Sequence, residues 1–171
     1  MSAPDPMSEV PIDVARYAWP TAELDPVDRM RALAAGLPHV ATNETVFEAG
    51  FDRVWALVSD FEQYTAQIEA AVGAAKVVSR TGDRLVLHVK GPIPALSRWQ
   101  RFDVVVRPGW CLMSSRLGDI GMAARPEGDG RTRFFHFEGA ALLGRLVKPL
   151  FAWNIRQDFR KMNALLESPG G

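Results

Sequence analysis

The chain has a single cysteine, Cys111, so no internal disulfide can hold it together. Stability has to come from a core, and at 171 residues roughly 70% of the unfolded chain's surface can be buried in one domain. There is no excess of charge of either sign, since 20 Lys and Arg balance 20 Asp and Glu. That excludes the basic footprint with which nucleic-acid binders neutralise phosphates. No stretch of about 18 apolar residues occurs, so no membrane-spanning helix is expected. The opening Met1-Ser2-Ala3-Pro4-Asp5-Pro6 lacks a basic segment followed by an apolar run, and an export signal is not expected there. A lone thiol in such a composition points to a reducing, cytoplasmic setting. The three histidines, His39, His88 and His136, stand at no ligand spacing from one another. Gly128 and Gly130 read as a turn, without the strand and helix context of a phosphate loop. Neither a metal nor a cofactor is expected.

What is present begins with an arm, residues 1–37. Pro4, Pro6, Pro11, Pro20 and Pro26 interrupt it so that no long helix forms before Asp28. Six acidic residues against Arg16, Arg29 and Arg31 leave it at −3, balanced by +3 on the remainder. Val10, Ile12, Val14, Tyr17 and Trp19 are too apolar for a solvated tail, so part of the arm should lie against the domain. A short helix over Asp28–Ala35 should stop at Gly36 and Pro38.

The domain spans 38–168, with 169–171 as a disordered tail. A strand over Val40–Glu48 leads through Gly50 to a helix with Phe51, Val54, Trp55 and Val58 at three-and-four spacing, then to a second short helix over Glu62–Ala71. The period then changes to two. Three hairpins turn at Thr81-Gly82-Asp83, Pro108-Gly109 and Glu127-Gly128-Asp129-Gly130, giving seven strands with no crossover helix among the last six. Such an α+β chain folds as an antiparallel sheet. The final helix, Leu146–Glu167, carries Phe151, Ile155, Phe159, Met162 and Leu166 on one stripe that must be buried. Pro149 is placed in its first turn. Asp158 falls about 40° from the centre of that stripe, so it either pairs with a sheet arginine, reaches solvent at the edge, or serves a ligand.

The segment Val46-Phe47-Glu48-Ala49-Gly50-Phe51-Asp52-Arg53-Val54-Trp55-Ala56-Leu57-Val58-Ser59-Asp60-Phe61-Glu62-Gln63-Tyr64 resembles the opening of the helix-grip superfamily, START-like and Bet v 1-like. There a strand enters two short helices through a small residue, with Val-Trp in the first and an Asp-Phe-x-x-aromatic close. The resemblance runs from about Val40 to Glu167 in element order and is nearest to the polyketide cyclase/dehydrase and lipid-transport group. It implies a curved seven-stranded sheet gripping the C-terminal helix, with two short helices after the first strand. Between sheet and helix it implies a cavity for a lipid, isoprenoid or polyketide.

Carried onto this chain, the resemblance puts Thr132, Phe134, His136 and Glu138 on the cavity side of the last strand and Arg133, Phe135 and Phe137 outside. His136 then serves as a base or a hydrogen-bonding group, with Glu138 orienting it or acting as acid, or else is a satisfied wall residue. Asp158 is the third candidate for proton transfer. Tyr64 matches a position near the cavity mouth, where it bonds a ligand or simply packs. The expected ligand-binding wall is Leu85, Leu87, Val89, Phe102, Val104, Met113, Phe134, Ile155 and Phe159, tipped by Tyr64 and His136. The first functional expectation is binding, and carriage, of a small apolar molecule. The alternatives are a cofactor-free cyclase or dehydratase and a stress or assembly protein acting through its arm or helix face. Cys111, with no basic neighbour, reads as an apolar filler. Trp153, Arg156 and Arg160 lie opposite the buried stripe and are expected to meet the acidic arm. Phe135 and Phe137, if outward, need cover from the arm or from a second copy in a homodimer.

Overall fold

In the computed structural model, the residues described are 23–63, 65–69, 72–91, 98–141 and 144–168. The sheet has seven strands: β1 (Val40–Phe47), β2 (Ala74–Thr81), β3 (Arg84–Lys90), β4 (Gln100–Arg107), β5 (Trp110–Ser114), β6 (Gly118–Pro126) and β7 (Thr132–Ala140). Its spatial order is β1-β7-β6-β5-β4-β3-β2, with every neighbouring pair antiparallel. Successive hairpins build this order directly, and only β1 joins out of sequence, against β7. The turns place Gly82, Gly109, Gly128 and Gly130 at positive φ, where a side chain would be strained.

Paired residues in an antiparallel ladder share a face, and the register assigns that face. Leu87 is opposite Phe102, Val104 opposite Met113, Ile120 opposite Glu138 and Met122 opposite His136. All but Ile120 are buried, and Ile120 is partly buried against the same cluster. This inner face holds the C-terminal helix α4 (Gly144–Glu167), whose Ile155, Phe159, Met162 and Leu166 join the main core. Two short helices, α2 (Phe51–Ser59) and α3 (Thr65–Ile68), close the other side with Val54, Leu57, Val58 and Ile68. The element α3 is shorter than the Glu62–Ala71 expected; Ala70 and Ala71 lie outside the described residues.

Helix α4 begins two residues before the expected Leu146, which moves Pro149 out of the first turn. Its missing N–H leaves the Arg145 carbonyl without an intrahelical partner. Arg145, Leu146, Lys148, Pro149 and Leu150 are all exposed, so water can satisfy that carbonyl.

A second, smaller core lies on the outer face. Helix α1 (Pro26–Ala35) starts earlier than expected, because Asp25 caps it, accepting from the backbone N–H groups of Val27 at 2.8 Å and Asp28 at 3.0 Å. Pro26 then occupies the first helical position, where its lack of a donor costs nothing. Val27, Met30 and Ala34 of α1 bury Val40, Ala123, Phe135 and Phe137. The apolar patch formed by Phe135 and Phe137 is therefore covered within the chain, and no second copy is needed to bury it. Ion pairs rim the contact: Asp25 with Arg125, and Arg31 and Arg133 both with Glu44. Asp25 and Asp28 of the arm are used here, on the outer sheet face, both facing Arg125. Trp153, Arg156 and Arg160 are exposed on α4, and the arm's residues 1–22, which carry Asp5, Glu9 and Asp13, lie outside the described residues.

Candidate functional site

The inner face does not close completely on α4. A cavity of about 260 Å³ is lined by Leu87, Val89, Phe102, Met113, Ile120 and Phe151, with Val72, Gly118, Gly139 and Ala140 completing the apolar wall. Thr65, Gln100 and Ser115 add polar atoms. Gln100 and Leu117 are exposed and mark its open side, whereas Glu69 and Glu138 are buried at its inner end.

Four polar side chains converge at that inner end. Glu69 follows α3, His136 and Glu138 stand two apart on β7 and so share its inner face, and Asp158 comes from α4. Each offers one donor atom, and the four atoms lie within 4.8 Å of one another. Relative exposures are 6%, 1%, 3% and 1%, so the cluster is sealed from bulk water. The His136 ring packs near Phe134 and Phe159, each with centroids 6.4 Å away. Its Nε2 lies 3.5 Å from Glu138 Oε1 and, among the described residues, makes no hydrogen bond. Beside it a separate void of about 10 Å³, close to the space of one water, is lined by Glu69, His136, Met113, Met122, Phe134 and Met162, among others.

Burial sets the protonation of these groups. It lowers the His136 pKa to about 3, so the imidazole is neutral and one ring nitrogen can accept a hydrogen bond. Burial raises Glu138 to about 7, helped by the charge of Asp158 and opposed by a hydrogen bond with Glu69. Glu69 is pushed well above the usual carboxylate range by burial and then by Glu138; Lys161 acts the other way and is outweighed. Two unit charges 4.8 Å apart repel by about 3 kcal/mol even at an effective dielectric of ~20. Three ionised carboxylates here therefore require a neutralising proton or cation.

Of the wall residues expected from sequence, Leu87, Val89, Phe102 and Met113 line the cavity, while Phe134, His136 and again Met113 line the small void. Leu85, Val104, Ile155 and Phe159 are buried in the main core and line neither. Tyr64 lies outside the described residues. Thr132, also on the inner face, donates its hydroxyl to the Ala49 carbonyl at 2.7 Å and is used structurally. Asp158 neither reaches solvent nor sits at an edge: it is buried, with a carboxylate oxygen beside His136 and Glu138 of β7. Glu69 was not foreseen. Its only trace in the sequence is a single charge inside the apolar run Ile68-Glu69-Ala70-Ala71-Val72. Cys111 is buried with its thiol pKa raised by burial, which leaves it inert as a nucleophile.

The chain matches no protein-family model and no curated protein sequence. Its fold does match solved structures. A START superfamily protein from Mycobacterium smegmatis superposes with a TM-score of 0.61 at 15% identity, covering 75% of this chain and 97% of the other. The Zhui aromatase/cyclase from Streptomyces sp. R1128 gives 0.61 at 10% identity over 75% and 93%. A STAR-related lipid transfer protein from Xanthomonas axonopodis gives 0.59 at 12% identity over 74% and 85%. No helix among the described residues is long and apolar enough to cross a membrane. With a curved antiparallel sheet closed around its C-terminal helix and two short helices after the first strand, the chain has the helix-grip fold that these structures share.

Proposed function

We propose that the protein binds a small, largely apolar molecule, of the lipid, isoprenoid or polyketide kind, in the cavity between sheet and α4. The observation that carries this reading is the cavity itself: apolar walls with carboxyl groups gathered at one end. Burial of apolar ligand surface supplies affinity at about 25 cal/mol per Å², and the polar end fixes orientation by bonding the ligand's hydroxyl or carbonyl. At about 260 Å³ the cavity falls just below the ~300–1,000 Å³ of typical ligand sites, which favours a compact ligand over a full-length diacyl lipid. Similarity in fold to a lipid transfer protein is in keeping with this.

A fluorescent apolar probe whose emission rises on leaving water tests the reading. Saturable one-to-one binding is expected to the wild type. Val89→Trp, which places an indole in the cavity, should weaken it at least about tenfold, the equivalent of ~1.4 kcal/mol. Equal binding by the variant would sink the cavity as the site.

A second reading, a cofactor-free cyclase or dehydratase, is favoured by the convergence of His136, Glu138 and Asp158 at the cavity's inner end. Similarity in fold to an aromatase/cyclase points the same way. In that reading the apolar walls fold a poly-β-ketone chain and one group removes an activated C–H proton. The carbanion attacks a carbonyl carbon of the same chain to close the ring, and another group protonates the resulting alkoxide, which leaves as water on dehydration. With a synthetic poly-β-ketone thioester, the wild type should accelerate ring closure, and His136→Ala should slow it by ~10²-fold or more. No acceleration over buffer by the wild type removes this reading and leaves the binding one intact.

A further inference from the structure

We propose that Glu69, His136, Glu138 and Asp158 form a buried site for one divalent first-row transition-metal ion at the inner end of the cavity. Three elements deliver the donors: the segment after α3, strand β7 and helix α4. One donor atom from each residue falls within 4.8 Å of all the others. Around an ion with bonds of about 2.0–2.2 Å, tetrahedral donors stand ~3.3–3.6 Å apart. His136 Nε2 and Glu138 Oε1, at 3.5 Å, already span one such edge. The remaining donors need shifts of about 1 Å, within reach of small rotations of the carboxylate side chains.

The imidazole supplies a separate observation. His136 is 1% exposed, and its Nε2 points at the carboxylates without a hydrogen-bond partner among the described residues. Leaving a buried polar atom unsatisfied costs about 1–3 kcal/mol. With its proton on Nδ1, the ring presents the Nε2 lone pair that a metal ligand requires. Charge gives a third reason. Among the described residues no Arg or Lys side chain forms an ion pair with Glu69 or Glu138. A dication placed between them would neutralise two carboxylates at once. The adjoining void of about 10 Å³ leaves room for one water as a further ligand.

One nitrogen with three carboxylate oxygens suits Zn²⁺, Mn²⁺, Fe²⁺ or Co²⁺, whereas Ca²⁺ prefers an all-oxygen shell of six to eight. This inference stands on the cluster alone and does not rest on the apolar-ligand reading.

The test is a titration of Co²⁺ into the full-length protein after treatment with a chelator, followed by visible absorption and by thermal unfolding. One equivalent should bind with a new absorption band. At a hundredfold excess of free ion over Kd the melting temperature should rise by about 5–10 °C. His136→Ala and Glu138→Gln should each weaken binding by at least ~100-fold. His39→Ala should leave it unchanged, because His39 and Asp119, 3.6 Å apart, form a distinct and partly exposed pair. Glu138→Gln keeps the side chain's shape and removes a buried charge, so it carries the test if His136→Ala does not fold. Absence of saturable Co²⁺ and Mn²⁺ binding up to ~1 mM overturns the proposal. So does binding that survives both cluster variants. Val89→Trp should lose the apolar probe yet keep Co²⁺, which separates failure of the cavity reading from failure of the metal site.

Discussion

Gly118→Ala is expected to cost about 3 kcal/mol or more and to lower the melting temperature by about 6–12 °C. Gly118 opens β6 opposite Ala140 of β7, where the two strands run close together at the edge of the cavity. A methyl group built there lies 1.9 Å from the Gly139 carbonyl oxygen and 2.9 Å from its carbon. Those are backbone atoms, so no rotamer change can relieve the overlap. The strands must separate, and the ladder that aims His136 and Glu138 inward moves with them. Thermal unfolding by circular dichroism measures the loss. Gly36→Ala is the control, since its new methyl makes only ordinary contact at 3.4 Å and its φ of −79° suits alanine. A melting temperature for Gly118→Ala within 2 °C of the wild type would show that β6 and β7 do not approach as described.

Phe134→Ala should be comparably severe, with a loss of about 3–5 kcal/mol in denaturant unfolding. Phe134 is fully buried at the centre of the inner face. Its ring lies 5.9 Å from that of Phe47 on β1 and 5.8 Å from that of Phe159 on α4, the latter edge-on at 74°. It thus ties the first strand and the last helix to β7, and removal leaves a cavity beside an already imperfectly filled core. The surrounding side chains are anchored to three different elements and cannot collapse together. Phe151→Ala, by contrast, removes a partly buried ring from the cavity wall and should cost markedly less. If Phe134→Ala lost less than ~1.5 kcal/mol, the packing of α4 onto the sheet would need revision.

The fold was legible because its signals are local. Alternation such as Phe102, Val104 and Val106 requires only neighbouring residues to be read, and so do turns at Gly82, Gly109 and Gly128. The stripe of Ile155, Phe159 and Met162 is likewise a property of one helix. Element ends were less well placed where capping and proline compete, as at Pro26, which starts α1 through the Asp25 cap rather than delaying it to Asp28. The arm's destination could not be read either, since an acidic apolar segment fits Arg156 and Arg160 as readily as Arg125. The ion pairs of Asp25 and Arg31 decide it for α1.

The candidate site divides in the same way. Asp158 drew attention because it is a carboxylate close to the apolar stripe of its helix, and His136 and Glu138 because the resemblance put their side of the last strand on the cavity. Glu69 did not, because it lies in a short irregular segment without a period against which to judge it. What brings the four within 4.8 Å is the closure of the α2–α3 layer and the rotation of α4 over β7, contacts between residues up to about ninety positions apart. Histidine spacing along the chain argued against a metal, and spacing carries no information when donors come from three separate elements. By itself, then, the sequence determined the helices, the strands and the alternation of their faces, through short-range periodicity and turn chemistry, while the inward side of the last strand came from the resemblance. Only the tertiary structure decided where α1 docks, how much space remains between sheet and α4, and that four buried polar groups meet at its end, because those depend on distances no local pattern encodes.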